Sequence, residues 1–167
     1  SALLLKADPG AGKSAFMASL IERNPGSLLG YHFCQAKAAE TLEPGRFVRS
    51  IAAMVASRLP RYAAALDALA DTALDKDRCE KDPFTAFGEG VLSALSRVEP
   101  PVGGFAFLLV DALDEALLHR GKENKATIVD LLADRLSYFP PWLRLVATTR
   151  KDAEVLRNLR GLRHEEI

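Results

Sequence analysis

A short apolar run, Ala2-Leu3-Leu4-Leu5, leads through Lys6 into Ala7-Asp8-Pro9-Gly10-Ala11-Gly12-Lys13-Ser14, and a helical pattern opens directly afterwards. Strand, small-residue turn, helix: this order constrains the fold more than any other feature of the chain. A turn rich in glycine lets several backbone N–H groups point inward at a helix N-terminus. There the unpaired donors and the helix dipole favour anions. The spacing is that of a phosphate-binding loop, in which Lys13 reaches the β- and γ-phosphates and the Ser14 hydroxyl holds Mg²⁺. On this reading Ala7, Asp8, Pro9, Gly10, Ala11, Gly12, Lys13, Ser14 and Ala15 enclose the phosphates. The plainer alternative is a turn between strand and helix with Lys13 solvated. The strict pattern has Gly where this chain has Ala7. Were φ > 0 needed there, Ala would cost about 1 kcal/mol relative to Gly.

A second feature is independent of the first. Phe105-Ala106-Phe107-Leu108-Leu109-Val110 is an unbroken apolar run followed by Asp111-Ala112-Leu113-Asp114-Glu115. Such a run predicts a parallel strand buried on both faces. Its three carboxylates fall at or just past the carboxyl end, where open α/β sheets bind ligands. Asp111 is therefore a candidate Mg²⁺ ligand, a Walker B acid acting together with Ser14. The alternative is that Asp111 and Asp114 only start a turn or cap a helix. A third strand, Leu143 to Thr148, runs into Thr149-Arg150. Arg150 there either meets a γ-phosphate or is a surface arginine after a strand.

Taken together, Gly10-Ala11-Gly12-Lys13-Ser14, the strand ending Tyr31-His32-Phe33-Cys34, Leu109-Val110-Asp111-Ala112-Leu113-Asp114-Glu115 and Ala147-Thr148-Thr149-Arg150 resemble the NACHT branch of the STAND nucleotide-switch ATPases, nephrocystin-like N-terminal domains included. The resemblance covers nearly the whole chain. Its most discriminating piece is the apolar strand followed by Asp-Ala-Leu-Asp-Glu, since ordinary AAA+ motors carry Glu where this chain has Ala112. The resemblance implies Asp111 on Mg²⁺, Asp114 or Glu115 toward the attacking water, and Arg150 as a γ-phosphate sensor. It also implies ATP or ADP as the nucleotide, and partner proteins or self-association through modules that follow the core. No residue reads adenine over guanine, so ATP rests on the resemblance alone.

Length and composition set the remaining bounds. A chain of 167 residues, 49% hydrophobic and 26% charged, suits one α/β domain with a real core. The expected class is a P-loop NTPase core, a mostly parallel sheet sandwiched between helices, excised from a larger protein. Zero formal net charge argues against general nucleic-acid binding. No segment has the length of a membrane span or a signal peptide. Cys34 closes an apolar strand and reads as a buried small side chain, whereas Cys79 lies in a charged stretch and reads as a free thiol. Both suit a reducing cytoplasm. His32, His119 and His164 show no metal-ligand spacing.

Along the chain, strands alternate with helices, which predicts a parallel sheet covered on both faces. The first helix spans 13–23 and the second strand 28–34, with a loop over 35–43. Helices are expected from Pro44, over 60–74, from Pro83 along the stripe Phe84, Phe87, Val91 and Leu95, over 128–136 and over 153–160. Gly161 suits the C-cap of the last one. Residues 75–82 read as a solvated charge run and 117–124 as a polar loop. Gly88 and Gly90 cost a helix about 1 kcal/mol each, which calls for something packed closely against them. A last strand is expected from Arg163.

Three functions fit these residues. The leading one is a slowly hydrolysing ATP switch in a signalling or defence protein. The second is an interaction module that binds nucleotide without turnover. The third is a small-molecule P-loop kinase, disfavoured by the Asp114-Glu115 pair and the lack of an Arg-rich lid.

Overall fold

The structure, a computed structural model, describes residues 2–69, 72–121 and 125–166. Among these residues five strands form one sheet: β1 (Ala2–Lys6), β2 (Leu28–Phe33), β3 (Ala106–Asp111), β4 (Leu143–Thr149) and β5 (Arg163–Glu166). Their order is β2-β3-β4-β1-β5, and every pairing is parallel. Parallel neighbours require crossover connections, and these are right-handed. The step from β1 to β2 runs one way across the sheet and all later steps run the other way. Among the described residues, right-handedness therefore leaves α1 (Lys13–Arg23) alone on one face and puts the remaining helices on the other.

The two faces differ accordingly. Met17 of α1 packs with Leu28, Phe107 and Leu109, flanked by partly buried Tyr31, Phe33 and Val146. The opposite face carries the larger core. Leu4, Leu108, Val110, Leu145 and Ala147 of the strands meet Phe47, Ile51 and Val55 of α2 (Pro44–Arg58) and Leu131 and Leu132 of α8 (Ile128–Arg135). All six residues of β3 are buried, as its unbroken apolar run requires of a strand with neighbours on both edges. The sheet is thus sandwiched unequally, by one helix on one side and by a thick helical layer on the other.

That helical layer holds most of the departures from the sequence pattern. The helix expected over 60–74 is α3 (Pro60–Asp67), and residues 70–71 lie outside those described. The charge run 75–82 is not a solvated loop but α4 (Lys76–Lys81), and Cys79 within it is fully buried. The reason is Gly45 in the first turn of α2. A Cβ there would stand 2.5 Å from the Cys79 carbonyl oxygen, so only glycine lets the two backbones meet so closely. Beyond Asp82, whose carboxylate accepts the Thr85 N–H, comes one helical rod: α5 (Pro83–Ala86), a π-helical stretch (Phe87–Ser93) and α6 (Ala94–Ser96). The widened turns present the Gly90 carbonyl to the Tyr62 hydroxyl at 2.7 Å. Leu74 packs where a Cβ on Gly90 would sit.

The loop expected over 35–43 contains a 3₁₀ turn, Ala39–Leu42. The polar stretch expected as a loop over 117–124 follows α7 (Leu113–Ala116) and begins as a 3₁₀ turn (Leu117–Arg120), while residues 122–124 lie outside those described. Arg120 ties it down through ion pairs to Asp130 at 3.0 Å and Glu154 at 2.9 Å. Thr127 and Asp130 close a reciprocal capping box on α8. The last helix, α9 (Ala153–Asn158), is capped by Asp152 and ends at Leu159, so Gly161 is not its cap. Among the described residues no helix is long and apolar enough to cross a membrane.

Candidate functional site

Register brings the three sequence motifs to one edge of the sheet. Lys6 pairs with Thr149 across β1 and β4, and Val110 with Ala147 across β3 and β4. The glycine loop, the acids after β3 and Arg150 after β4 therefore share the carboxyl end.

The loop itself turns on two glycines. Gly10 has φ +81° and Gly12 +82°, the left-handed region that L side chains rarely adopt. A Cβ on either would meet nothing within 4 Å, so this face of the loop is open. Ala7 is not at positive φ, and the strain that its replacement of Gly would bring does not arise. Ala7 is instead fully buried, its N–H donating to the Thr149 carbonyl at 3.3 Å. Asp8, Pro9, Gly10, Ala11, Gly12, Ser14 and Ala15 are exposed and Lys13 is half-buried. The Lys13 ammonium folds into the loop, donating to the carbonyls of Ala7 and Asp8 at 2.9 Å each. Two of the three ammonium N–H donors are thus held by backbone carbonyls, which leaves the third.

Ser14 and Asp111 meet as the paired motifs require. Ser14 Oγ donates to Asp111 Oδ2 at 2.7 Å, across 97 residues of sequence. Asp111 is 4% exposed, and its other oxygen accepts a hydrogen bond from the buried Thr148 hydroxyl. A carboxylate and a hydroxyl, both hard oxygen donors, side by side at the rim of this loop suit Mg²⁺. Ala112 follows with φ +58°, the non-glycine residue at positive φ among those described, and caps α7. A left-handed alanine costs about 1 kcal/mol. The turn is held by Ala112 N–H donating to Thr148 Oγ1 at 3.0 Å and by Glu115 N–H donating to the Ala112 carbonyl at 2.9 Å.

The two following acids take different partners. Asp114 accepts the Arg150 backbone N–H at 2.9 Å and pairs with Arg150 Nε at 3.3 Å. Glu115 accepts the Ala36 N–H at 2.5 Å and lies 3.7 Å from an Arg150 guanidinium nitrogen. Arg150 is more than half exposed, and with Ala36, Asp114, Glu115 and Leu118 it lines a cavity of about 350 Å³. Cys34 stands behind this cluster, its N–H donating to the Asp111 carbonyl. Burial, reinforced by the charges of Asp111, Glu115 and Asp114, pushes its thiol up to about 12. It stays protonated and is no nucleophile.

Residues 1–150 match the family described as Nephrocystin 3, N-terminal. The chain belongs to this family. The match runs from β1 through Arg150, so every residue of the site lies within the nephrocystin-like part. Two members of this site were given no role by sequence: Thr148, read only as part of the Ala147–Arg150 piece, and the Ala36 amide. Strand alternation beside Asp111 was a signal for Thr148. A backbone amide in a loop gives none.

Proposed function

We propose that this nephrocystin-like domain binds ATP or ADP with Mg²⁺ and hydrolyses ATP slowly, as a STAND-type, NACHT-like nucleotide switch. In a signalling or defence protein it would act on partners, or on copies of itself, through modules outside this chain. The observation that carries the reading is the Ser14–Asp111 hydrogen bond at 2.7 Å beside the folded-in Lys13. It joins the start of α1 to the end of β3, which would be the two halves of a metal–phosphate site. Gly10, Gly12 and Lys13 would bind phosphate oxygens through backbone N–H groups and one ammonium. Ser14 and Asp111 would hold Mg²⁺, which supplies charge neutralisation for phosphoryl transfer. Arg150, linked to both Asp114 and Glu115, would trade those carboxylates for a γ-phosphate. A ligand that draws it away shifts the site's equilibrium by its unequal affinity for the two arrangements.

The test is thermal melting and calorimetry with MgATP and MgADP. Saturating nucleotide is expected to raise the melting temperature, since ligand at 100 times its Kd stabilises by about 2.7 kcal/mol. Lys13→Ala is expected to weaken binding about 10- to 100-fold, the worth of a hydrogen bond to a charged group. Wild-type melting unmoved by millimolar MgATP and MgADP would overturn the reading.

A further inference from the structure

Asp111 has two carboxylate oxygens, and only one of them faces Ser14. What fixes the other is Thr148, the penultimate residue of β4 and fully buried. Register sets it there: Val110 pairs with Ala147, and on the opposite edge Leu5 pairs with Thr148. The hydroxyl therefore lies between the ends of β1 and β3. Its two hydrogen bonds have assigned directions. The Ala112 N–H can only donate, so Thr148 Oγ1 accepts it, at 3.0 Å. The single hydroxyl proton then goes to Asp111 Oδ1. This leaves Oδ2 alone turned toward Ser14.

We infer that Thr148 is a positioning residue for the metal site: its hydroxyl sets the rotation of the Asp111 carboxylate and, through Ala112 N–H, the left-handed turn that follows it. The inference rests on the nucleotide-binding reading above. Without the hydroxyl, Asp111 keeps its charge and loses its aim, and the Ala112 N–H loses its partner. Thr148 would act through Asp111 and Ala112, the two groups its hydroxyl bonds. A purely structural threonine would affect nucleotide binding with and without metal alike. A positioning threonine affects the metal-dependent part.

The experiment compares wild type with Thr148→Val, which keeps the shape and removes the hydroxyl, and Thr148→Ser, which keeps the hydroxyl. ADP affinity is measured by calorimetry with Mg²⁺ and with EDTA, together with apo melting temperature. Thr148→Val is expected to lose roughly tenfold of the Mg²⁺ enhancement while affinity in EDTA stays within about twofold, and Thr148→Ser to restore the enhancement. On an Asp111→Asn background Thr148→Val should change the enhancement no further. Should Thr148→Val not fold, Thr148→Ala gives the same comparison. Full Mg²⁺ enhancement in the hydroxyl-free variant, or failure of serine to rescue, overturns the positioning role while leaving nucleotide binding in place. A wild type that binds no ADP in either condition overturns the nucleotide-binding reading, and this inference with it.

Discussion

Asp114 and Glu115 are adjacent, yet their surroundings give them separate work. The Asp114 side chain is 11% exposed and grips the end of β4 through the Arg150 N–H and guanidinium. Glu115 is 26% exposed and borders the cavity, held by one amide of the loop after β2. A nearly buried carboxylate that accepts a backbone N–H and pairs with a guanidinium is a stability element, because hydrogen bonds to a charged group are among the stronger ones. Asp114→Ala is therefore expected to cost about 1–3 kcal/mol in urea unfolding. Glu115→Gln is expected to cost less than about 1 kcal/mol, its ion pair being partly solvated. In single-turnover assays Glu115→Gln should nonetheless slow ATP hydrolysis while MgATP affinity persists. Equal stability losses from both substitutions, or unchanged turnover in Glu115→Gln, would reverse the assignment.

Among the elements, α4 shows how tertiary contact overrides local pattern. Six residues with five charges give no hydrophobic stripe, and Lys76–Glu80 is only a loose surface pair at 3.7 Å. The helix exists because its backbone docks on Gly45 of α2 and buries Cys79. In an ordinary helix Gly→Ala gains about 1 kcal/mol. Gly45→Ala should instead destabilise by about 1–3 kcal/mol, since the new Cβ meets Cys79 backbone atoms that have nowhere flexible to go. Gly88 is the matched control. A Cβ there comes no nearer than 3.6 Å to the Arg135 side chain, so Gly88→Ala should be neutral or mildly stabilising. Urea midpoints of the two variants decide the matter. A stabilised Gly45→Ala would mean that α4 does not dock closely.

For the whole molecule, burial of titratable groups, Cys34, Tyr62 and His32 among them, limits the pH range of stability. Burial pushes the Cys34 thiol from 9.0 up to about 12 and the Tyr62 phenol upward as well. Above about pH 9 the unfolded chain releases the thiol proton that the native state keeps, so stability falls as pH rises from there to about 12. At the acid end, burial first and Arg46 second lower the His32 pKa, against a hydrogen bond to the Thr41 carbonyl that raises it. Below about pH 6.5 the unfolded chain takes up a proton that the native imidazole resists, and stability falls as pH falls. Cys34→Ala is expected to flatten the alkaline limb without changing the acid one. Urea unfolding across both limbs measures this, and an alkaline slope identical to wild type would remove Cys34 as its source.

The sequence by itself determined the local units: a strand, glycine turn and helix around Lys13 and Ser14, the buried strand ending at Asp111, and the strand leading to Arg150. Each is written in consecutive residues, where apolar periodicity and turn chemistry act over short range. The conclusion that these ends converge also followed from pattern, because a parallel sheet aligns its carboxyl edges. Only the tertiary structure decided which oxygen of Asp111 faces Ser14, that Thr148 holds the other, and that Asp114 grips β4 while Glu115 reaches Ala36. It also decided that α1 alone covers one face, and that a charged stretch becomes a helix around a buried cysteine. These features depend on strand order, register and close backbone approach between residues tens of positions apart. No local periodicity encodes such distances.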